Sequence, residues 1–220
     1  MAYQSIPGGL WLPHMPPWNS GAQATYIGYL MDAAAEKMAL IIRVPKTGTL
    51  DLFECRLGTV TTPPSVGLRF SFQDVSLIDG NPDGTVDQYR VVTAGLTSNA
   101  WVVPGVITSD GTDGGVKRSV TRGDLLALVM DFAPTYVDGN LNIAFMDYNP
   151  RGEPRMLPYA RQFAAAWSAV NGDRPALALK YNDGTYAFIG PGTLPAKAFQ
   201  HESISSATTP DESGLIFQFP

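Results

Sequence analysis

The segment Asp79-Gly-Asn81-Pro-Asp83-Gly84-Thr-Val-Asp87 carries oxygen ligands at the spacing of the first half of a calcium loop, Asp-x-Asn-x-Asp-Gly. Calcium takes six to eight oxygens, and the glycine allows the sharp turn that gathers them. The twelfth position, however, is Arg90, where that loop needs a bidentate glutamate. Pro82 stiffens the middle, and no helical pattern flanks it. Asn-Pro and Asp-Gly are turn dipeptides, so the expectation is a tight turn between strands, with no metal ligand assigned. Nucleophilic chemistry has even less material. There is no Gly-x-Ser-x-Gly elbow, and a Ser-His-Asp site must draw on His14, in a proline-rich stretch, or His201, in a serine-rich one. Cys55 lies within a strand pattern and reads as a small buried hydrophobe. A glycosidase needs two carboxylates facing across a cleft. Asp74, Asp131, Asp147 and Glu153 are candidates, but 20 acidic residues make chance pairs easy. Trp101, Tyr136, Tyr148 and Tyr159 are aromatics in or beside turn-rich regions, suited to an interface, a core or a sugar-stacking platform. Glycine signatures for phosphate or dinucleotide binding are absent. No catalytic residue and no cofactor is therefore assigned, and the chain is expected not to be an enzyme.

The elements that would carry these groups read as strands. Thr25–Met31, Lys37–Val44, Thr49–Leu57, Val66–Phe72, Tyr89–Ala94, Trp101–Thr108, Asp124–Phe132, Leu141–Met146, Ala176–Tyr181, Thr185–Ile189 and Leu215–Phe219 are apolar, aromatic or β-branched. Glycine, proline, asparagine and aspartate punctuate them, most clearly at Gly111–Gly115 and at Asn182-Asp-Gly184, a hairpin signal. Val66, Leu68, Phe70 and Phe72 alternate cleanly onto one face. Leu50, Leu52, Cys55 and Leu57 share a face only if a bulge falls near Phe53–Glu54. The continuous run Asp124–Phe132 suits a strand buried on both faces. Asp32–Glu36 suits one helical turn or a loop. In Tyr159–Val170, Pro158 before good helix formers and Asn171-Gly172 after them predict a helix with Phe163, Trp167 and Val170 on one side. The alternative is a strand pair turning near the alanines.

Composition bounds the class. The 220 residues suit one domain with appendages. Glycine (22) and proline (18) are above average, yet 45% of the residues are hydrophobic, enough for a sizeable core. Only 16% are charged, against about 25% for a typical globular protein. Such a chain has little reason to stay a free monomer. A net charge of −5 argues against direct nucleic-acid binding. One cysteine excludes an internal disulfide framework, and no apolar run reaches membrane-spanning length. The first 31 residues carry no charged side chain, but four prolines and the lack of a basic start argue against a secretory signal.

Residues 1–22 therefore read as an extended, proline-rich arm and residues 23–220 as an antiparallel β-sandwich domain, an all-β architecture. An uncharged arm bearing Trp11, Leu12, Met15 and Trp18 is costly to leave in water. It is expected to fold back on its own domain or pack on a neighbouring subunit, and these four side chains are the candidate partner contacts.

The phrases Ile42-Arg-Val-Pro-Lys-Thr-Gly-Thr-Leu50, Cys55-Arg-Leu-Gly-Thr-Val-Thr61, Val66-Gly-Leu-Arg-Phe70, Asp79-Gly-Asn-Pro-Asp-Gly-Thr85 and Val120-Thr-Arg-Gly-Asp-Leu-Leu-Ala-Leu-Val129 resemble one family. It is the jelly-roll, carbohydrate-binding-module-like β-sandwiches in structural proteins of tailed bacteriophages. The resemblance covers roughly Thr25–Tyr148 and, more weakly, Ala176–Pro220. It implies a jelly-roll order of strands and strands rather than a helix over Tyr159–Val170. It also implies a virion component, of tail, fibre or capsid surface, that forms a homo-oligomer and contacts other virion proteins. The alternative function is a glycan-binding module for attachment.

Overall fold

The computed structural model describes residues 5–6, 10–11, 28–133, 135–147, 159–170, 173–175 and 177–188. Every helix or strand among them is a strand. In chain order these are β1 (Ser5–Ile6), β2 (Leu10–Trp11), β3 (Gly28–Met31), β4 (Lys37–Arg43), β5 (Gly48–Thr62), β6 (Leu68–Gln73), β7 (Gln88–Val92) and β8 (Trp101–Val102). They continue with β9 (Ser119–Val120), β10 (Leu125–Phe132), β11 (Asn140–Asp147), β12 (Tyr159–Phe163), β13 (Trp167–Val170), β14 (Asp173–Pro175), β15 (Leu177–Tyr181) and β16 (Tyr186–Phe188).

Two antiparallel sheets share the core. The first runs β13-β12-β4-β10-β6-β7, and the second is built on β14-β11-β5-β15-β16, with β3 added on β11 and β8 and β9 on β5. Alternation decides what each strand buries. Met38, Leu40 and Ile42 of β4, Leu68, Phe70 and Phe72 of β6, and Leu126, Leu128 and Met130 of β10 meet Phe53, Cys55 and Leu57 of β5 and Leu177 and Leu179 of β15 in one cluster. Phe53 links the sheets, its ring 5.2 Å from Phe70 and 5.7 Å from Phe72.

The bulge expected near Phe53–Glu54 falls instead at Asp51. Lys180 lies opposite Leu52, but Tyr181 lies opposite Leu50, so Asp51 is the extra residue. This shifts the alternation by one and turns both Leu50 and Phe53 into the core. The displaced carboxylate is met by Lys117 at 2.6 Å and Lys180 at 3.8 Å.

The helix expected over Tyr159–Val170 is a hairpin. Strands β12 and β13 pair from Ala160 opposite Val170 to Phe163 opposite Trp167, turning through the three alanines. Strand β12 also pairs with β4, which fills both its edges, and Ala160 enters the core. Tertiary pairing overrides the intrinsic preference of an alanine-rich segment. Asp32–Glu36 is a turn rather than a helical one: the Glu36 carboxylate accepts the Ala33 N–H at 2.8 Å. Asn182–Gly184 does turn a hairpin, with Gly184 at φ +85 and the Asp183 carboxylate accepting the Thr185 N–H. Trp101–Thr108 keeps only a two-residue strand. The strand expected at Leu215–Phe219 lies outside the described residues.

Candidate functional site

The first sheet has a second, outward face, and it too is covered. Ladder register aligns three cross-strand rows on it: Tyr159-Ile41-Ala127-Gln73, Arg161-Ala39-Val129-Ser71 and Phe163-Lys37-Asp131-Arg69. Ala39, Ile41, Ala127, Val129 and Tyr159 form a small apolar cluster there, with Val75 and Trp167 packed against it. Of its polar members, Ser71, Gln73, Asp131 and Arg161 are buried, while Lys37 and Arg69 are half-buried. Arg69 and Asp131, direct cross-strand partners, make a two-pronged ion pair: Nε donates to Oδ1 at 2.8 Å and Nη2 to Oδ2 at 2.6 Å. That contact raises the Arg69 pKa against the opposing cost of burial. Gln73 donates to Ser71 Oγ at 3.0 Å.

The loop from Asp74 to Asp87 reaches over this face. Val75 and Pro82 bridge, and the Ser76 N–H donates to the Asn81 carbonyl at 2.9 Å. Asp79 closes the turn by accepting the Asn81 N–H at 3.1 Å and its side-chain amide at 2.9 Å. Hydrogen bonds from Ser76 first, then Asn81, hold the Asp79 carboxyl below the usual range. Gly80 sits at φ +71, a conformation other residues rarely adopt. The Tyr159 hydroxyl donates to the Gly80 carbonyl at 2.8 Å and pins the loop to the sheet.

Between loop and sheet lies a pocket of about 280 Å³, lined by Leu77, Ile78, Asp79, Gly80, Tyr159 and Arg161. The Arg161 guanidinium lies 4.9 Å from the centre of the Tyr159 ring. Arg161 is 7% exposed, and its Nε has no hydrogen-bond partner. At the rim, Leu77 and Ile78 are 90% and 99% exposed. The pocket offers a fixed cation, a tethered phenol and a carboxylate engaged by its own turn. These groups can hold a ligand.

The residues singled out from sequence are scattered. The calcium-like segment is a turn, as expected, and among the described residues no three His, Cys, Asp or Glu side chains converge as metal ligands would. Of the carboxylates, Asp131 is spoken for by Arg69 and Asp74 by Arg118. Cys55 is fully buried, and burial followed by the charge of Glu54 pushes its thiol well up. Tyr136 packs on Phe132, ring centres 5.0 Å apart, and its hydroxyl lies 2.6 Å from the Asp32 carbonyl. Trp101 is half-buried beside Arg56 in the ladder. In the arm, Trp11 is opposite Ser5 in a two-residue ladder. Leu12, Met15, Trp18, His14, His201, Tyr148 and Glu153 lie outside the described residues. Arg161 was not singled out, although Tyr159-Ala-Arg161 places both residues on one face of any strand.

No protein-family model matches this sequence, and no curated protein or solved structure shows significant similarity to it.

Proposed function

We propose that this chain is a non-enzymatic structural component of a bacteriophage virion, in a tail, a fibre or a capsid surface, which self-assembles and contacts other virion proteins. A jelly-roll order of strands belongs to the same reading. The observation that carries it is the tip of the Asp74–Asp87 loop, where two adjacent aliphatic side chains, Leu77 and Ile78, stand almost wholly in water. Aliphatic groups held out on an ordered turn gain free energy only when another surface covers them. A chain with 16% charged residues adds to the same tendency. Molar mass by light scattering on the full-length chain tests the reading. A discrete trimer or larger ring supports it; a monomer at all concentrations refutes self-assembly. Deleting Ala2–Gly21 is expected to leave the sandwich folded and to weaken assembly. Room-temperature unfolding of the truncated chain would instead make the arm part of the core.

The second reading is a glycan-binding module. Trp101 favours it: the residue is only half-buried, and an aromatic ring that keeps contact with solvent can stack on a sugar. Binding on a broad glycan array that is lost in Trp101→Ala would replace the first reading with this one.

A further inference from the structure

We propose that the Arg161 pocket is a binding site for a carboxylate group, held edge-on by the guanidinium. This goes beyond the assembly reading and does not rest on it, because a free monocarboxylate and the acidic side chain of a second copy present the same chemistry.

The sheet supplies its own comparison. Arg69 and Arg161 both lie on the outward face of the six-stranded sheet, where the Asp74–Asp87 loop and the apolar cluster cover it. Arg69 is met by both oxygens of Asp131 at 2.8 and 2.6 Å. Arg161 is among the buried residues, and among the described residues it has no hydrogen bond or ion pair, only the face of the Tyr159 ring. Removing a charge from water without a partner is strongly unfavourable, so buried charges are normally paired. Arg161 thus lacks the carboxylate that Arg69 has, and the space beside it is a pocket rather than packed side chains.

The pocket selects within the class of anions. A guanidinium edge matches the two oxygens of a carboxylate. The Tyr159 ring keeps that edge oriented, and the hydroxyl bond to Gly80 keeps the ring in place, so little freedom is lost on binding. Asp79 lines the same pocket and is negatively charged, which favours a single negative charge over a phosphate dianion. Leu77 and Ile78 at the rim suit a carbon skeleton behind the carboxylate. A volume of about 280 Å³ fits a group of side-chain size.

The test follows the Arg161 Nε–H signal by NMR on the full chain, assigned by its loss in Arg161→Lys. Propionate is the free probe, titrated at constant ionic strength against chloride. Serial dilution of the protein alone probes the second copy. A saturable shift with propionate but not chloride identifies a small-carboxylate site. A shift on dilution, suppressed by propionate, identifies the carboxylate as that of another copy. A signal indifferent to both, or moved equally by chloride, overturns the proposal. Thermal melting gives an independent check. Arg161→Met is expected to melt no lower than the wild type, since it removes an unpaired charge, and to lose any stabilisation by propionate. A marked drop in melting temperature, with no propionate response in the wild type, would make Arg161 a structural residue and refute the site.

Discussion

Replacing Asp131 by leucine strands the Arg69 guanidinium on the covered face of the six-stranded sheet. The side chains of the pair are 4% and 16% exposed, and two hydrogen bonds of 2.8 and 2.6 Å join them. At an effective dielectric constant of about 20, two unit charges about 4 Å apart attract by about 4 kcal/mol. Desolvating each ion costs several kcal/mol, so the intact pair is nearly neutral against apolar residues of similar size. Breaking it is different, because one buried charge is left uncompensated at about 3–5 kcal/mol. That is a large part of the roughly 5–15 kcal/mol that holds a domain folded. The assay is urea unfolding of the wild type, Asp131→Leu, Arg69→Met and the double variant, at two protein concentrations. With a urea slope of about 2–3 kcal/mol per molar, each single variant is expected to lose about 1.5 M in midpoint. The double variant should recover at least half of the summed loss, a coupling of about 3 kcal/mol or more. Single losses that simply add in the double variant would refute the reasoning.

Gly80→Ala meets two obstacles, the positive φ of +71 and a Cβ that would lie 2.8 Å from the Tyr159 hydroxyl. A destabilisation of about 1–2 kcal/mol from the left-handed backbone is expected, and faster hydrogen exchange over Ser76–Asn81 would show that the loop has come off the sheet. Burial pushes the phenols of Tyr29, Tyr181 and Tyr186 up to about 12, helped by Glu36 at Tyr29 and Glu54 at Tyr186. Between their ordinary value of 10.0 and about 12 the unfolded chain loses these protons while the folded one keeps them. Stability is therefore full below pH 10 and falls as pH rises toward 12. Tyrosinate absorbance should show a late fraction that ionises only together with unfolding, and complete ionisation in a chain still folded by circular dichroism would contradict it.

Local pattern was enough where one strand's own side chains settle the matter. Lys37–Val44 was expected as a strand and is Lys37–Arg43, and the run Asp124–Phe132 is buried on both faces as its continuous apolar character implied. It was not enough where pairing decides. Tyr159–Val170 contains residues that favour a helix in isolation, and only the free edge of β4 makes an extended hairpin the better solution. The bulge at Asp51 was misplaced because its position depends on where β15 falls into register, information that lies more than a hundred residues away. The candidate site depends on the same choice. On a helix, residues two apart such as Tyr159 and Arg161 diverge by about 200°. On a strand they point the same way, and the pocket follows from that geometry and from the loop above it.

The covered face also shows how the sheet divides stability from recognition. A face meant only for packing would carry aliphatic residues throughout, as Met38, Leu40 and Ile42 do on the other side of β4. Here Lys37, Arg69, Asp131, Ser71, Gln73 and Arg161 interrupt Ala39, Ile41, Ala127 and Val129. Four of these six polar groups bond to one another in two pairs, Arg69 with Asp131 and Gln73 with Ser71. Lys37 lies over the Phe163 ring, 5.4 Å from its centre, and the sixth is the arginine at the pocket. Local rules of burial are expected to fail at sites that do something other than fold. Arg161 is such a place: the sheet holds it, and Tyr159 orients it.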